Sequence, residues 1–116
     1  MAEVTIFHNP ACGTSRKVLE AIRAAGVQPK VVEYLKAGWT ETQLKGLLAR
    51  MGAAPRDVLR VRGTPAADLG LTDPATSDGA ILKAMTQHPI LVERPIVVSD
   101  KGAALCRPPE KVQALL

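Results

Sequence analysis

The chain opens with two short strand-like runs separated by one amphipathic segment. Residues 4–7 form an apolar run that predicts a buried strand, and residues 30–34 predict a second strand. Between them, residues 16–25 carry apolar side chains at helical spacing and are followed by Gly26, which predicts a helix that ends at a glycine. Two strands joined by one helix form a parallel, right-handed β-α-β unit.

The middle of the chain follows a helical pattern rather than a strand pattern. Thr40 and Gln43 have the spacing of a capping box, and the apolar residues after them recur at helical intervals. Neither end of this region carries a flexible linker. We therefore interpret residues 1–116 as a single domain with a helical insertion at about residues 40–88. Helical segments are predicted at residues 40–52, 55–59, 68–71 and 77–88.

The last part of the chain predicts two more strands and a final helix. Residues 96–99 and 103–106 are apolar and are separated by a tight turn, which predicts an antiparallel hairpin. Residues 108–109 are both proline and open the last helix. The order β-α-β, helices, β-β-α fits an α/β, thioredoxin-like fold with a central mixed four-stranded sheet flanked by helices. In that fold a cis proline precedes the third strand, and Pro95 is the candidate, because a missing N–H costs least at a strand's first residue.

Composition and charge narrow the class of partner. No apolar run is long enough to span a bilayer, and the N-terminus lacks the pattern of a signal peptide, so we expect a cytoplasmic protein with no membrane partner. The net charge is +4 from scattered bases, which favours an anionic partner. Three aromatic residues leave little to stack on bases, so we expect a small anion rather than nucleic acid. We also expect a monomer.

Cys12 is the candidate nucleophile. It lies on the turn between the first strand and the first helix, where unpaired N–H groups and the helix dipole favour a thiolate and bind oxyanions. The alternative is a small buried hydrophobic cysteine, which the polar turn around it disfavours. Gly13 lets the backbone approach an anion, and the hydroxyls of Thr14 and Ser15 are candidate donors.

The turn Cys12-Gly13-Thr14-Ser15 has a serine where a dithiol oxidoreductase has its second cysteine. Such an enzyme closes a disulfide through that second thiol. Cys106 is distant in sequence, and strand alternation points it away from any site that Arg107 faces. In a reducing compartment we expect both cysteines to be thiols, and the resolving thiol to come from another molecule.

His8 ends the first predicted strand, directly before the turn. A histidine close to a cysteine favours the thiolate or shuttles a proton. An alternative that is equally open is that its nitrogens only fix the loop by hydrogen bonding. For His88, at the end of a predicted helix, a structural role is favoured.

Three arginines, Arg60, Arg94 and Arg107, stand at element ends or in loops. A single arginine is usually a solvated surface charge, and spacing alone does not bring these three together. Converging guanidinium groups bind tetrahedral oxyanions well, because their geometry is fixed and their charge permanent. The three arginines are therefore candidate ligands of an oxyanion.

Three stretches of the chain resemble the glutaredoxin-dependent arsenate reductases. They are residues 8–16 (HNPACGTSR), 88–98 (HPILVERPIVV) and 105–108 (LCRP), and the similarity runs over essentially the whole chain. The resemblance implies a thioredoxin-like fold and a single catalytic cysteine at Cys12. The best-known members extend beyond the last helix, whereas this sequence ends at Leu116, and none of the matched positions lies in that extension.

The same resemblance implies roles for the candidate residues. Arg60, Arg94 and Arg107 match an arginine triad that holds arsenate and the arsenite product. His8 matches a histidine that helps to lower the pKa of the catalytic cysteine. Glutathione and glutaredoxin would supply the electrons, glutathione acting as a co-substrate, and no bound cofactor or metal is expected.

Other functions remain open on the sequence. A thioredoxin-like regulatory protein that binds RNA polymerase usually carries a C-x-x-C switch, and Ser15 argues against it. A glutathione-linked thiol oxidoreductase without arsenate activity is disfavoured by the arginines, because plain disulfide exchange needs no oxyanion clamp. The remaining alternative is a redox-inert domain in which Cys12 is structural.

Overall fold

The computed structural model of the protein describes residues 3–116 and, within them, contains a mixed four-stranded sheet. Its strand order is β2-β1-β3-β4, in which β1 and β2 are parallel and the other two pairs are antiparallel. This order confirms the predicted thioredoxin-like fold. The strands are β1 (Thr5–His8), β2 (Lys30–Glu33), β3 (Ile96–Ser99) and β4 (Gly102–Leu105).

The described chain divides into two compact units. The sheet unit comprises the residues up to Ala37 together with Arg94–Leu116, and the helical unit comprises Gly38–Glu93. The sheet unit holds the four strands, α1 (Gly13–Ala24), the one-turn α2 (Tyr34–Ala37) and a 3₁₀ helix (Pro109–Leu115). The helical unit holds α3 (Glu41–Met51), α4 (Asp78–Gln87) and two 3₁₀ turns (Pro55–Val58 and Pro89–Leu91).

An apolar cluster joins α1 to the sheet. Val18 and Ile22 lie one turn apart on α1 and are fully buried, as is Ile6 of β1. Residues four apart share one face of a helix, so this pair presents a continuous apolar stripe to the strand. Cys106 and Val112 extend the cluster from the C-terminal end of the chain. This packing fixes the start of α1 relative to the end of β1.

Local caps bound both helices of the helical unit, and the one at the start of α3 is the predicted one. The Thr40 side chain accepts the Gln43 N–H and the Gln43 side chain accepts the Thr40 N–H, which confirms the capping box of α3. Gly52 ends α3 with φ +65°, a conformation that glycine adopts without steric cost. Ser77 caps α4 by accepting the Ala80 N–H.

One predicted helical segment is wrong. Residues 68–71 form consecutive turns and no helix. Gly70 has φ +75°, which interrupts a helix, and its carbonyl accepts the Thr76 hydroxyl. Arg56 then donates to the carbonyls of Leu71 and Thr76, at 3.3 and 2.7 Å. The left-handed Gly70 thus replaces the predicted helix with turns, and side chains of the same unit bond the carbonyls of the following residues.

Smaller differences occur at the ends of the predicted elements. Helix α1 begins at Gly13, three residues before the predicted start, because its first turn follows directly from Cys12. Strand β2 ends at Glu33, and Tyr34 already belongs to a helical turn. Among residues 3–116, none of the helices combines the length and apolar character that a membrane span requires. The interpretation of residues 1–116 as one domain remains a prediction.

Candidate active site

Cys12 occupies the N-cap of α1, as predicted. Its backbone is extended (φ −92°, ψ 121°), and its carbonyl accepts the Arg16 N–H at 3.0 Å. The loop before it is closed by two hydrogen bonds that Asn9 accepts: its carbonyl accepts the Cys12 N–H at 3.0 Å, and its Oδ1 accepts the Ala11 N–H at 2.9 Å. Because Asn9 is itself buried, the position of Cys12 is set by a bonded loop.

The surroundings of Cys12 favour the thiolate. Burial raises the pKa of this thiol, but hydrogen bonds together lower it by more. The pKa of Cys12 therefore lies below the ordinary value of 9.0. The bonds come from the backbone N–H of Ser15, the side chains of Arg107 and Arg94, and the backbone N–H of Thr14. Two backbone donors and two cations thus face one partly buried sulfur, an arrangement typical of a reactive cysteine.

Arg107 links the sulfur to the segment before β3. Its Nη1 lies 3.7 Å from Cys12 Sγ and donates to the carbonyl of Arg94 at 2.9 Å. The peptide bonds Arg94–Pro95 and Arg107–Pro108 are both cis. The cis bond expected at Pro95 is therefore present, whereas the one at Pro108 had no signal in the sequence. Arg94 and Arg107, both from the far end of the chain, therefore lie beside the cysteine.

Arg94 is a buried cation whose hydrogen-bonding capacity is not filled. Only 8% of the residue is exposed. Within the described chain, its buried Nε and Nη1 have no hydrogen-bond partner. Leaving a buried donor unsatisfied costs about 1–3 kcal/mol, and more for a charged group. Such donors near the Cys12 sulfur are suited to the oxygens of an anion.

His8 bonds to the loop rather than to the sulfur. Its Nδ1 lies 2.6 Å from Ser15 Oγ, and this oxygen also accepts the Asn9 N–H at 3.1 Å. Burial lowers the pKa of His8, the carboxylate of Glu33 opposes this, and the nearby Arg23 and Arg16 lower it further. Its direct effect on the thiol of Cys12 stays a prediction.

The hydroxyl of Ser15 has a different use from the one predicted. It is fully buried and bonded within the loop, so it is not presented to a ligand. The part of Ser15 that faces the sulfur is its backbone N–H. Gly13 is exposed and Thr14 is half-buried, and both lie in the first turn of α1 as expected.

Arg60 lies in the helical unit, where its contacts are with the segment that precedes β3. Its backbone N–H donates to the carbonyl of Leu91 at 2.7 Å. The neighbouring Leu59 forms an isolated antiparallel β-bridge with Val92. Its Nη1 lies 3.4 Å from both carboxylate oxygens of Glu93. The place of Arg60 among the oxyanion ligands stays a prediction.

Cys106 is not part of this chemistry. Its side chain is fully buried in the apolar cluster of the sheet unit. Burial raises the pKa of its thiol to about 11, although Lys111 opposes the rise. Both cysteines are thiols. In the part of the chain that the structure describes, no group of three His, Cys, Asp or Glu side chains is arranged to hold a metal.

Sequence reasoning missed two residues of this region. Asn9 closes the loop before Cys12, and the Asn-Pro pair at residues 9–10 is a turn signal that could have identified it. Glu93 pairs with Arg60 across 33 positions, and no local pattern indicates that contact. In the sheet unit the structure brings together the predicted Cys12, Arg94 and Arg107.

Comparison with known proteins gives a consistent result. The model of the ArsC family matches residues 7–115. Arsenate reductase ArsI2 of Synechocystis sp. is 53% identical over 113 residues, which are 97% of this chain and 81% of that protein. Arsenate reductase of Escherichia coli strain K12 is 46% identical over 116 residues, 100% of this chain and 82% of that protein. The solved arsenate reductase from Vibrio cholerae superposes with a TM-score of 0.93 at 38% identity, over 98% of each chain.

Proposed function

The chain belongs to the ArsC family, and on that premise we propose that it reduces arsenate to arsenite through a thiol–arsenate adduct on Cys12. Glutathione and a glutaredoxin supply the electrons, in a reducing compartment such as the cytoplasm. The observation that carries the proposal is the surroundings of the sulfur. Arg107 Nη1 lies 3.7 Å from Cys12 Sγ, and the buried Arg94 beside it has donors to spare.

The same groups can bind the substrate before the chemistry begins. Arsenate is a tetrahedral oxyanion with one to two negative charges near neutrality, by analogy with phosphate, whose second pKa is about 6. Arg94 and Arg107 offer fixed donors and permanent charge, and the N–H groups at the start of α1 offer backbone donors. Arg60 is included as the third arginine on the strength of the resemblance.

In the first step the Cys12 thiolate attacks arsenic. An S–As bond forms, an As–O bond breaks, and the departing oxygen leaves as water after protonation. Arsenic stays pentavalent. The lowered pKa of Cys12 supplies the nucleophile, and the arginines compensate the charge that develops on the remaining oxygens. His8 holds the loop through Ser15 while this occurs.

The following steps need two external thiols, because Ser15 stands in place of a second cysteine. Glutathione forms a second S–As bond, and another oxygen leaves as water. A glutaredoxin thiolate then attacks the glutathione sulfur, so that an S–S bond forms and the S–As bond breaks. The electron pair of the broken bond stays on arsenic, which becomes trivalent. Hydrolysis of the remaining S–As bond releases arsenite and restores the Cys12 thiol.

The test is oxidation of NADPH coupled through glutathione reductase, glutathione and glutaredoxin, with and without arsenate. We expect arsenate-dependent turnover, its loss in Cys12→Ser, and its retention in the matched control Cys106→Ser. Turnover in Cys12→Ser would overturn the proposal. Oxidation that does not depend on arsenate would identify a general glutathione-linked thiol oxidoreductase instead.

A further inference from the structure

A cavity of about 360 Å³ opens on the sheet unit beside the loop that carries Cys12. Its volume is in the range of small-molecule sites, roughly 300–1,000 Å³. Two of its lining residues, His8 and Pro10, come from the end of β1 and from that loop. The other four come from α1. The lining residues are His8, Pro10, Arg16, Leu19, Glu20 and Arg23, which we call the α1 groove.

The helical side of the α1 groove is a single stripe. Arg16, Glu20 and Arg23 are spaced by four and three positions, so their side chains share one face of α1. The opposite face of the helix carries the buried Val18 and Ile22 that pack on the sheet. The stripe is therefore not needed for folding of the core, and its three charged residues are exposed.

The charged side chains of the α1 groove form no ion pairs within the described residues. Among residues 3–116, no carboxylate lies within 4.0 Å of the guanidinium groups of Arg16 or Arg23. Arg16 donates through Nη1 to the carbonyl of Pro10 at 2.8 Å, which ties the groove to the loop. Glu20 forms no ion pair within the described chain either. Two cations and one anion thus border one cavity.

We propose that the α1 groove is the binding site of free glutathione, which it holds with its thiol toward Cys12; this inference rests on the proposed function. Glutathione has two carboxylates and one ammonium group at neutral pH. Arg16 and Arg23 match the carboxylates, and Glu20 matches the ammonium. Leu19 and Pro10 supply apolar contact for the methylene groups of the ligand.

The mixed charge distinguishes glutathione from a simple anion. An inorganic oxyanion would gain from the two arginines but would be repelled by Glu20. A zwitterionic peptide uses all three groups. The groove and the nucleophile are close along the chain, since Pro10 is two residues before Cys12. The loop between them is closed by hydrogen bonds to Asn9. The groove thus borders the loop that carries the nucleophile.

Arg23→Ala tests the site without disturbing the loop, because Arg16 and not Arg23 bonds to Pro10. In the coupled assay we expect the KM for glutathione to rise roughly fivefold, as for loss of one partly exposed ion pair, with kcat within twofold. Arg23→Glu should raise it further. The matched control is Lys17→Ala, which removes an exposed charge from the same helix outside the groove and should leave the KM unchanged.

A binding measurement without turnover completes the test. S-methylglutathione, which has no thiol, should shift the amide NMR signals of residues 16–23 in the wild type and bind about fivefold more weakly to Arg23→Ala. An unchanged KM for glutathione and unchanged binding of S-methylglutathione in Arg23→Ala and Arg23→Glu would overturn the assignment of the α1 groove as the glutathione site. Weakened turnover with unchanged binding of S-methylglutathione would point to a glutaredoxin contact and would overturn it as well.

A third measurement separates this inference from the proposed function. Arsenate alone should protect Cys12 from iodoacetamide in the wild type and in Arg23→Ala alike. Absence of protection in the wild type would contradict the arsenate chemistry itself. Protection in both proteins, with the KM for glutathione unaffected in Arg23→Ala, would support the arsenate chemistry. The same result would reject the α1 groove as the glutathione site.

Discussion

His8 Nδ1 lies 2.6 Å from the Oγ of Ser15, and the backbone N–H of the same Ser15 points to the sulfur of Cys12. Ser15 Oγ also accepts the Asn9 N–H, and its hydroxyl hydrogen can be donated to a neutral ring. A neutral imidazole accepts it, and burial lowers the pKa of His8 in agreement with a neutral ring. The histidine and the backbone N–H that faces the sulfur are therefore held in one hydrogen-bonded loop.

The burial of His8 predicts a loss of stability on mild acidification. The pKa of His8 in the folded chain lies below its ordinary 6.5, so between these two values the unfolded chain binds more protons. The contribution of a neutral His8 to the free energy of unfolding is therefore fully present above pH 6.5. It is lost as the pH drops from 6.5 to the pKa of His8 in the folded chain. In His8→Gln, the part of this loss that stems from residue 8 should vanish. Urea unfolding from pH 7.5 to pH 5.0 measures it, and equal slopes for both proteins would contradict the assignment.

Arg107 predicts the reactivity of Cys12. Its Nη1 lies 3.7 Å from the sulfur and lowers the pKa of the thiol. Arg107→Ala should therefore raise that pKa and reduce the thiolate fraction at pH 7, while Arg107→Lys should recover part of the effect through its charge. The pH dependence of iodoacetamide alkylation gives the midpoint directly. Lys17→Ala is the control, and a midpoint that does not move in Arg107→Ala would remove Arg107 from the sulfur's environment.

From the burial of Arg94 we predict that replacing it weakens arsenate binding without lowering the stability of the fold. Its buried guanidinium has donors that no described group satisfies, and a buried cation without full pairing is costly. Arg94→Met keeps much of the volume and should leave the free energy of unfolding unchanged or raise it by about 1 kcal/mol. The same variant should lose arsenate protection of Cys12. Denaturant unfolding and alkylation in the presence of arsenate report the two effects separately, and a large destabilisation with intact protection would reverse the assignment.

The pair Arg60–Glu93 predicts a measurable coupling. The two side chains are only 20% and 21% exposed, and Arg60 Nη1 lies 3.4 Å from the carboxylate. A double-mutant cycle with Arg60→Met and Glu93→Gln should give a coupling energy of about 1 kcal/mol, at the upper end for surface pairs because water is partly excluded. The exposed pair Lys45–Glu41 is the matched comparison and should couple more weakly. Equal coupling in both pairs would refute the argument.

The sequence alone determined the features that depend on neighbours along the chain. The capping box at Thr40, the glycine end at Gly52 and the strand-to-helix turn before Cys12 follow from residues three to five positions apart. Such patterns act through local backbone geometry, which each short segment already contains. The order of these elements was then sufficient for the thioredoxin-like fold, because few connections are compatible with a right-handed β-α-β start.

Only the tertiary structure decided which distant groups meet. Arg107 reaches the sulfur of Cys12 across 95 positions, and the unfilled donors of Arg94 are visible only once the surrounding chain has buried them. The same holds for residues 68–71, where Gly70 is left-handed and Arg56 and Thr76 bond the carbonyls of Leu71 and Gly70 in place of the predicted helix. Hydrogen bonds and desolvation depend on distances in space, and a linear pattern fixes those distances only for residues within a few positions of each other.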